Sequence, residues 1–152
     1  CNGCQLFIEL GLLHPTANEK PEMAHNDSGK FECIFTDVII EESPAIMLNS
    51  LQGSRLGIWA AHGEGKFIFP KGKNNYAIAG KYAYESYPSN PNGSDQNAAM
   101  LSSDDGRHLV TMPHLERAIF PWNWGSYPDN RSDQLSPWIM AFEDAYNWIL
   151  NR

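Results

Sequence analysis

The 152 residues are 42% hydrophobic and 19% charged, the balance of a globular domain long enough to bury a core. The 18 acidic and 11 basic residues leave a net charge of −7, which argues against a nucleic-acid footprint or an anionic membrane surface. No apolar run approaches the ~20 residues of a membrane span, and no signal peptide opens the chain.

An apolar stretch at Gln5–Leu13, with Leu6, Leu10 and Leu13 at helical spacing, predicts a helix that Pro15 ends. A polar loop follows over His14–Asp27, then a β-branched and aromatic strand over Phe31–Ile40. Ser43-Pro44 starts a short helix through Leu51, ended near Gly53. Arg55–His62 and Lys66–Phe69 read as strands around a Gly-Glu-Gly turn, and Tyr76–Tyr84 as another. That turn lacks the Lys-Ser/Thr of a phosphate-binding loop. Glu85–Asn97 is a loop, and Ala98–Ser102 and Arg107–Met112 flank a hairpin turn at Asp104-Asp105-Gly106. Phe120–Leu135 is irregular, and its Trp122, Trp124 and Tyr127 are read as exposed, either packing locally or meeting a neighbouring domain. Ser136 and Pro137 then open a helix whose Ile139, Phe142, Tyr146 and Ile149 fall on one face expected to pack on a sheet. The elements together predict one α/β layered domain with an antiparallel segment. Three Asn-x-Ser matches, at Asn26, Asn92 and Asn130, are read as chance.

Three cysteines, Cys1, Cys4 and Cys33, are too few and too odd for a disulfide framework and fit a reducing cytosol. The chain opens on Cys1-Asn2-Gly3-Cys4-Gln5 with no initiator Met, so a fragment or processed product is expected. Cys-x2-Cys could be half a zinc site, but no second ligand pair of the right spacing exists. It could be a redox pair, but that needs a preceding strand. It could instead be a nucleophile elbow, where a strand turns sharply into a helix and small residues must flank the nucleophile. Gly3 lies two positions after Cys1, whereas Leu6 lies two after Cys4, so Cys1 is the better nucleophile. Taken as a mature N-terminus, Cys1 could use its own α-amino group as base, but the helix that follows does not suit that scheme.

A thiol nucleophile needs a base, and the base needs an orienting partner. His114 follows a predicted strand and is fixed by Pro113, and Glu116 two residues on can hold its tautomer. His108, by contrast, follows a turn and is read as solvated.

C-x-G-x-Q at Cys1–Gln5 and P-H-x-E-R at Pro113–Arg117 resemble the class I (triad) glutamine amidotransferases. CNGCQLFIELGLL, HNDSGKFE, AHGEGKF, YPSNPNGS and MPHLERAIFPWNWG together resemble the glutaminase domains of the single-chain phosphoribosylformylglycinamidine synthase family. The resemblance implies a three-layer flavodoxin-like α/β fold whose N-terminal part is missing, with residues 1–152 its C-terminal portion beginning at the nucleophile. It implies glutamine hydrolysis for an ATP-dependent amination, with Cys1 as nucleophile, His114 as base and then acid, and Glu116 orienting His114. It places Asn2 (through its backbone N–H), Gln5, His62 and Gly63 around the substrate. It implies no cofactor or metal in this segment, ATP and Mg in the parent's synthetase domain, that domain as partner, and a cytoplasmic setting. Leu115 stands where many members have Pro, and the strands before the elbow and the second oxyanion loop are absent. The isolated 152 residues are therefore expected to be unstable or inactive.

Overall fold

The computed structural model describes residues 2–14, 19–70 and 76–152. Helix α1 spans Asn2–Glu9, and α2 spans Ile139–Leu150. Strands β1 (Glu22–Ala24), β2 (Glu32–Ile40), β3 (Arg55–His62), β4 (Lys66–Ile68), β5 (Ala77–Tyr82), β6 (Ala98–Ser102) and β7 (Leu109–Thr111) lie between them. β1 and β4 form a small ribbon, and the other five make one sheet in the order β3-β2-β5-β6-β7. Among the described strands every pairing is antiparallel. The fold is thus mixed α/β, and its antiparallel share is larger than the sequence patterns indicate.

The sheet curls. Beyond β7 at one edge, the Met112 N–H donates to Ala99 O, and two residues later the His114 N–H donates to Trp59 O at 2.7 Å. That antiparallel bridge joins the chain leaving β7 to β3, the opposite edge strand. Two apolar clusters result. One gathers Val38, Ile40, Leu56, Ile58, Ala99, Met100 and Trp138, and the other Cys4, Ile8, Phe67, Leu101, Val110 and Met112. β6 is buried along its whole length because it feeds both.

The helices pack by faces other than those the apolar spacing indicates. On α1 the buried pair is Cys4 and Ile8, one turn apart, while Leu6 and Leu10 are exposed. The helix starts three residues before the predicted stripe and ends through Gly11 at φ +66°. Pro15 lies outside the described residues. On α2 the predicted face is a correction as well: Phe142, Tyr146 and Ile149 are exposed, and Ala141 is buried instead. The rotation of α2 is set by its approach. Ser136 is buried, its Oγ accepts from the Trp138 N–H, and the fully buried Trp138 donates its indole N–H to Gly57 O at 2.8 Å. Asp144 then receives the backbone N–H and the hydroxyl of Ser50, each at 2.8 Å. The helix therefore seats on the 3-10 turns of Ile46–Leu51 rather than on the sheet. The segment after Phe120 is irregular as expected, but Trp124 and Tyr127 are half-buried, packed edge to face at 5.0 Å. Trp122 is exposed and stacks on Phe120.

No helix among the described residues is long and apolar enough to cross a membrane. Trp138→Ala should remove both the largest buried side chain and the bond to Gly57, lowering stability by about 3–5 kcal/mol. A shifted midpoint in urea unfolding, followed by tryptophan fluorescence, checks this.

Candidate active site

The curl brings the C-terminal motif to the end of β3. His114 is held by its backbone bond to Trp59, and Trp59 is itself fixed by its indole N–H on Asn123 O at 2.6 Å. The His114 side chain is mostly buried, at 15% exposure. Its Nδ1 lies 2.7 Å from Glu116 Oε1. A carboxylate only accepts, so Nδ1 carries the proton and Nε2 presents a lone pair. That Nε2 is buried and has no hydrogen-bond partner among the described residues. An imidazole in this state is able to take a proton, and Glu116 would stabilise the resulting cation.

α1 starts at Asn2. The helix packs on β1 and β7. Gln5 ties it to the turn after β3, its Nε2 donating to Glu64 O at 2.7 Å. Asn2, Gln5, Gly63 and Glu64 share a cleft with Lys30 and Phe31, about 350 Å³ in volume. Three of the four residues expected around a substrate thus line one cavity. His62, the fourth, is buried and does not line it. Cys1 falls outside the described residues.

His62 is 1% exposed and belongs to a buried polar network that sequence reading missed. Asn26 donates its amide to His62 O at 2.7 Å and to Lys30 O at 3.0 Å. Its Oδ1 receives the Gly65 N–H and faces His62 Nδ1, both at 3.1 Å. These bonds fix the Asn26 amide, so His62 must donate from Nδ1 and its Nε2 is the free acceptor. Burial, with a smaller push from nearby His114, lowers the His62 pKa to about 4. The Gly65 backbone lies against the ring, where a Cβ would sit 2.4 Å from Nδ1. Asn92 extends the network, donating to Gly65 O at 2.6 Å and receiving the Ser94 hydroxyl at 2.7 Å. Asn26 and Asn92 are buried structural residues, consistent with reading their Asn-x-Ser matches as chance. The only signal for them was their place in the HNDSGKFE and YPSNPNGS segments.

Cys4 is buried, and burial pushes its thiol up to about 12, which suits neither a metal ligand nor a nucleophile. Among the described residues no group of three His, Cys, Asp or Glu side chains could hold a metal ion.

The depressed His62 pKa carries a sign. Between about 6.5 and about 4 the unfolded chain binds the proton that the folded chain refuses. Stability is full above that window, falls as pH drops through it and levels off below it, by on the order of 3 kcal/mol. Urea unfolding at about pH 7 and about pH 4.5 should show this component in the wild type and its loss in His62→Gln.

Comparison with known proteins identifies the family. Residues 1–149 match the family model of the CobB/CobQ-like glutamine amidotransferase domain. The human phosphoribosylformylglycinamidine synthase is 37% identical over 178 residues, covering 99% of this chain and 13% of that protein. The Dictyostelium discoideum phosphoribosylformylglycinamidine synthase is 41% identical over 166 residues, covering 95% of this chain and 12% of that protein. An Arabidopsis thaliana protein named "Probable phosphoribosylformylglycinamidine synthase, chloroplastic/mitochondrial" is 41% identical over 170 residues, covering 98% of this chain and 12% of its own length. The chain thus spans about an eighth of these relatives. The structure of PurLQS from Thermotoga maritima superposes with a TM-score of 0.73 at 27% identity, over 97% of this chain and 59% of that one. The chain belongs to the CobB/CobQ-like glutamine amidotransferase domain family.

Proposed function

We propose that this chain hydrolyses glutamine to glutamate and ammonia, as the glutaminase part of a phosphoribosylformylglycinamidine synthase. The ammonia serves the ATP-dependent amination of formylglycinamide ribonucleotide in de novo purine synthesis. The observation that carries the reading is the His114–Glu116 pair: Nδ1 anchored at 2.7 Å and Nε2 buried and open, in a chain of an amidotransferase family.

Cys1 Sγ attacks the carboxamide carbon while His114 Nε2 takes the thiol proton. The oxyanion meets N–H groups at the start of α1, that of Asn2 first. His114 returns the proton to the departing ammonia, leaving a γ-glutamyl thioester. Water, deprotonated by His114, then attacks the thioester and releases glutamate, and the proton returns to Cys1. Glu116 orients His114 throughout. Gln5 and Gly63 shape the substrate cleft from its lining, and the buried His62 precedes Gly63 in the chain.

In this reading residues 1–152 are the C-terminal part of the glutaminase domain. The rest of the polypeptide supplies the parallel layers of a three-layer flavodoxin-like fold and the synthetase domain that receives the ammonia. The short share of each relative that this chain spans supports that division. So does the exposed apolar face of α2, which such a layer would cover. ATP and Mg2+ do not fit the described residues: the Gly63–Gly65 turn is filled by its bonds to Asn26 and Asn92. They belong to the synthetase domain. A cytoplasmic setting follows the cysteine content, although the Arabidopsis relative is named for organelles.

An electrophilic glutamine analogue, applied to the full-length protein and mapped by mass spectrometry, should label Cys1. Cys1→Ala should abolish glutaminase activity, and Glu116→Gln should cut kcat by about 10²-fold or more. Label on Cys4 or Cys33, or full activity in Cys1→Ala, would overturn the assignment.

A further inference from the structure

We propose that Glu32 receives the α-ammonium group of the amino-acid substrate and so selects glutamine over simple amides. The inference rests on the glutaminase reading above. Glu32 opens β2 directly opposite His62 on β3. Residues so paired share one face of the sheet, with Cβ atoms about 4.5–5.5 Å apart. Glu32 is 5% exposed, and its Oε1 is buried without a hydrogen-bond partner among the described residues. Lys30 Nζ stands 3.8 Å away, beyond hydrogen-bond distance, on a side chain 63% exposed.

His62 Nε2 is the second buried acceptor without a donor, because Asn26 holds the ring proton at Nδ1. Two unpaired acceptors on neighbouring strands are costly to bury. A small cation with several N–H groups satisfies both at once, and a primary ammonium is that group. Lys30, Phe31 and Gly63 line the cleft, and Glu32 and His62 are the buried residues next in sequence to Phe31 and Gly63. The triad has no use for a carboxylate here, since Glu116 already serves His114.

The test compares glutamine with glutaramate, the same amide without the α-amino group, as substrates of the full-length protein. Glu32→Gln should lower kcat/KM for glutamine at least about tenfold, mainly through KM, and leave glutaramate turnover within about twofold. A purely structural Glu32 would lower both substrates equally, and that result overturns the proposal, as does unaltered glutamine kinetics. Unaltered glutamine kinetics with weaker inhibition by ammonium chloride would assign the pair to released ammonium instead. Should Glu32→Gln fail to fold, Glu32→Asp decides, because it draws the carboxylate back by one methylene. A reduced preference for glutamine supports the site, and an unaltered one overturns it. A wild-type protein that hydrolyses neither amide would overturn the glutaminase reading itself, and this one with it.

Discussion

The backbone bond from His114 to Trp59 is the constraint on which the site depends. In strand order β7 and β3 are opposite edges of the five-stranded sheet. A flat sheet would leave the His-x-Glu motif four strands away from the turn after β3. The curl removes that distance, and one antiparallel bridge fastens it. The irregular segment after the motif reinforces the join, because Asn123 O holds the Trp59 indole and Trp124 packs on Phe35 beside it. The aromatic stretch is thus a brace for β3, the strand to which His114 is fastened.

A second constraint acts from below. Asn26, Asn92 and Ser94 satisfy the backbone of the turn after β3 with buried side-chain bonds, which in a low-dielectric interior hold geometry firmly. Against that satisfied background the unsatisfied atoms stand out. Of the five buried side-chain atoms without a hydrogen-bond partner among the described residues, three are His62 Nε2, His114 Nε2 and Glu32 Oε1. All three are acceptors on residues at or beside the end of β3. Folding tolerates such groups where a ligand supplies the missing donors, and concentrating them at one place marks a site more clearly than cavity size does.

Much of this was legible in the sequence, and the limits are physical. β2, β3 and the turn at Asp104–Gly106 follow from β-branched runs and turn chemistry, which are local signals. The His114–Glu116 pair was legible because a single residue separates its members in sequence and a strand end presents it. The helix faces were not. Apolar spacing gives a stripe, but the partner decides which stripe is buried, and on α2 Trp138 and the Ser50–Asp144 bonds fixed the rotation. The curl was also invisible, since it depends on a bridge between residues 59 and 114. The network of Asn26, His62 and Asn92 joins three segments through side chains of no distinctive pattern, and only the family resemblance singled those segments out.

The two imidazoles show how one fold can give the same side chain different work. Both hold the proton at Nδ1 and open Nε2, so their tautomers match. Their second partners differ. His114 faces a carboxylate that is 59% exposed, so a positive ring is balanced and can exchange its proton. His62 faces the neutral amide of Asn26 and is almost fully buried, so the cost of burying a positive ring outweighs the pull of Glu32 opposite it. A base must change charge, and an acceptor that positions a cationic substrate must not. If His62 did gain a proton, its Nε2 would become a donor and its charge would repel both His114 and an incoming ammonium. The burial that holds His62 neutral therefore preserves the proposed base and the proposed ammonium site together.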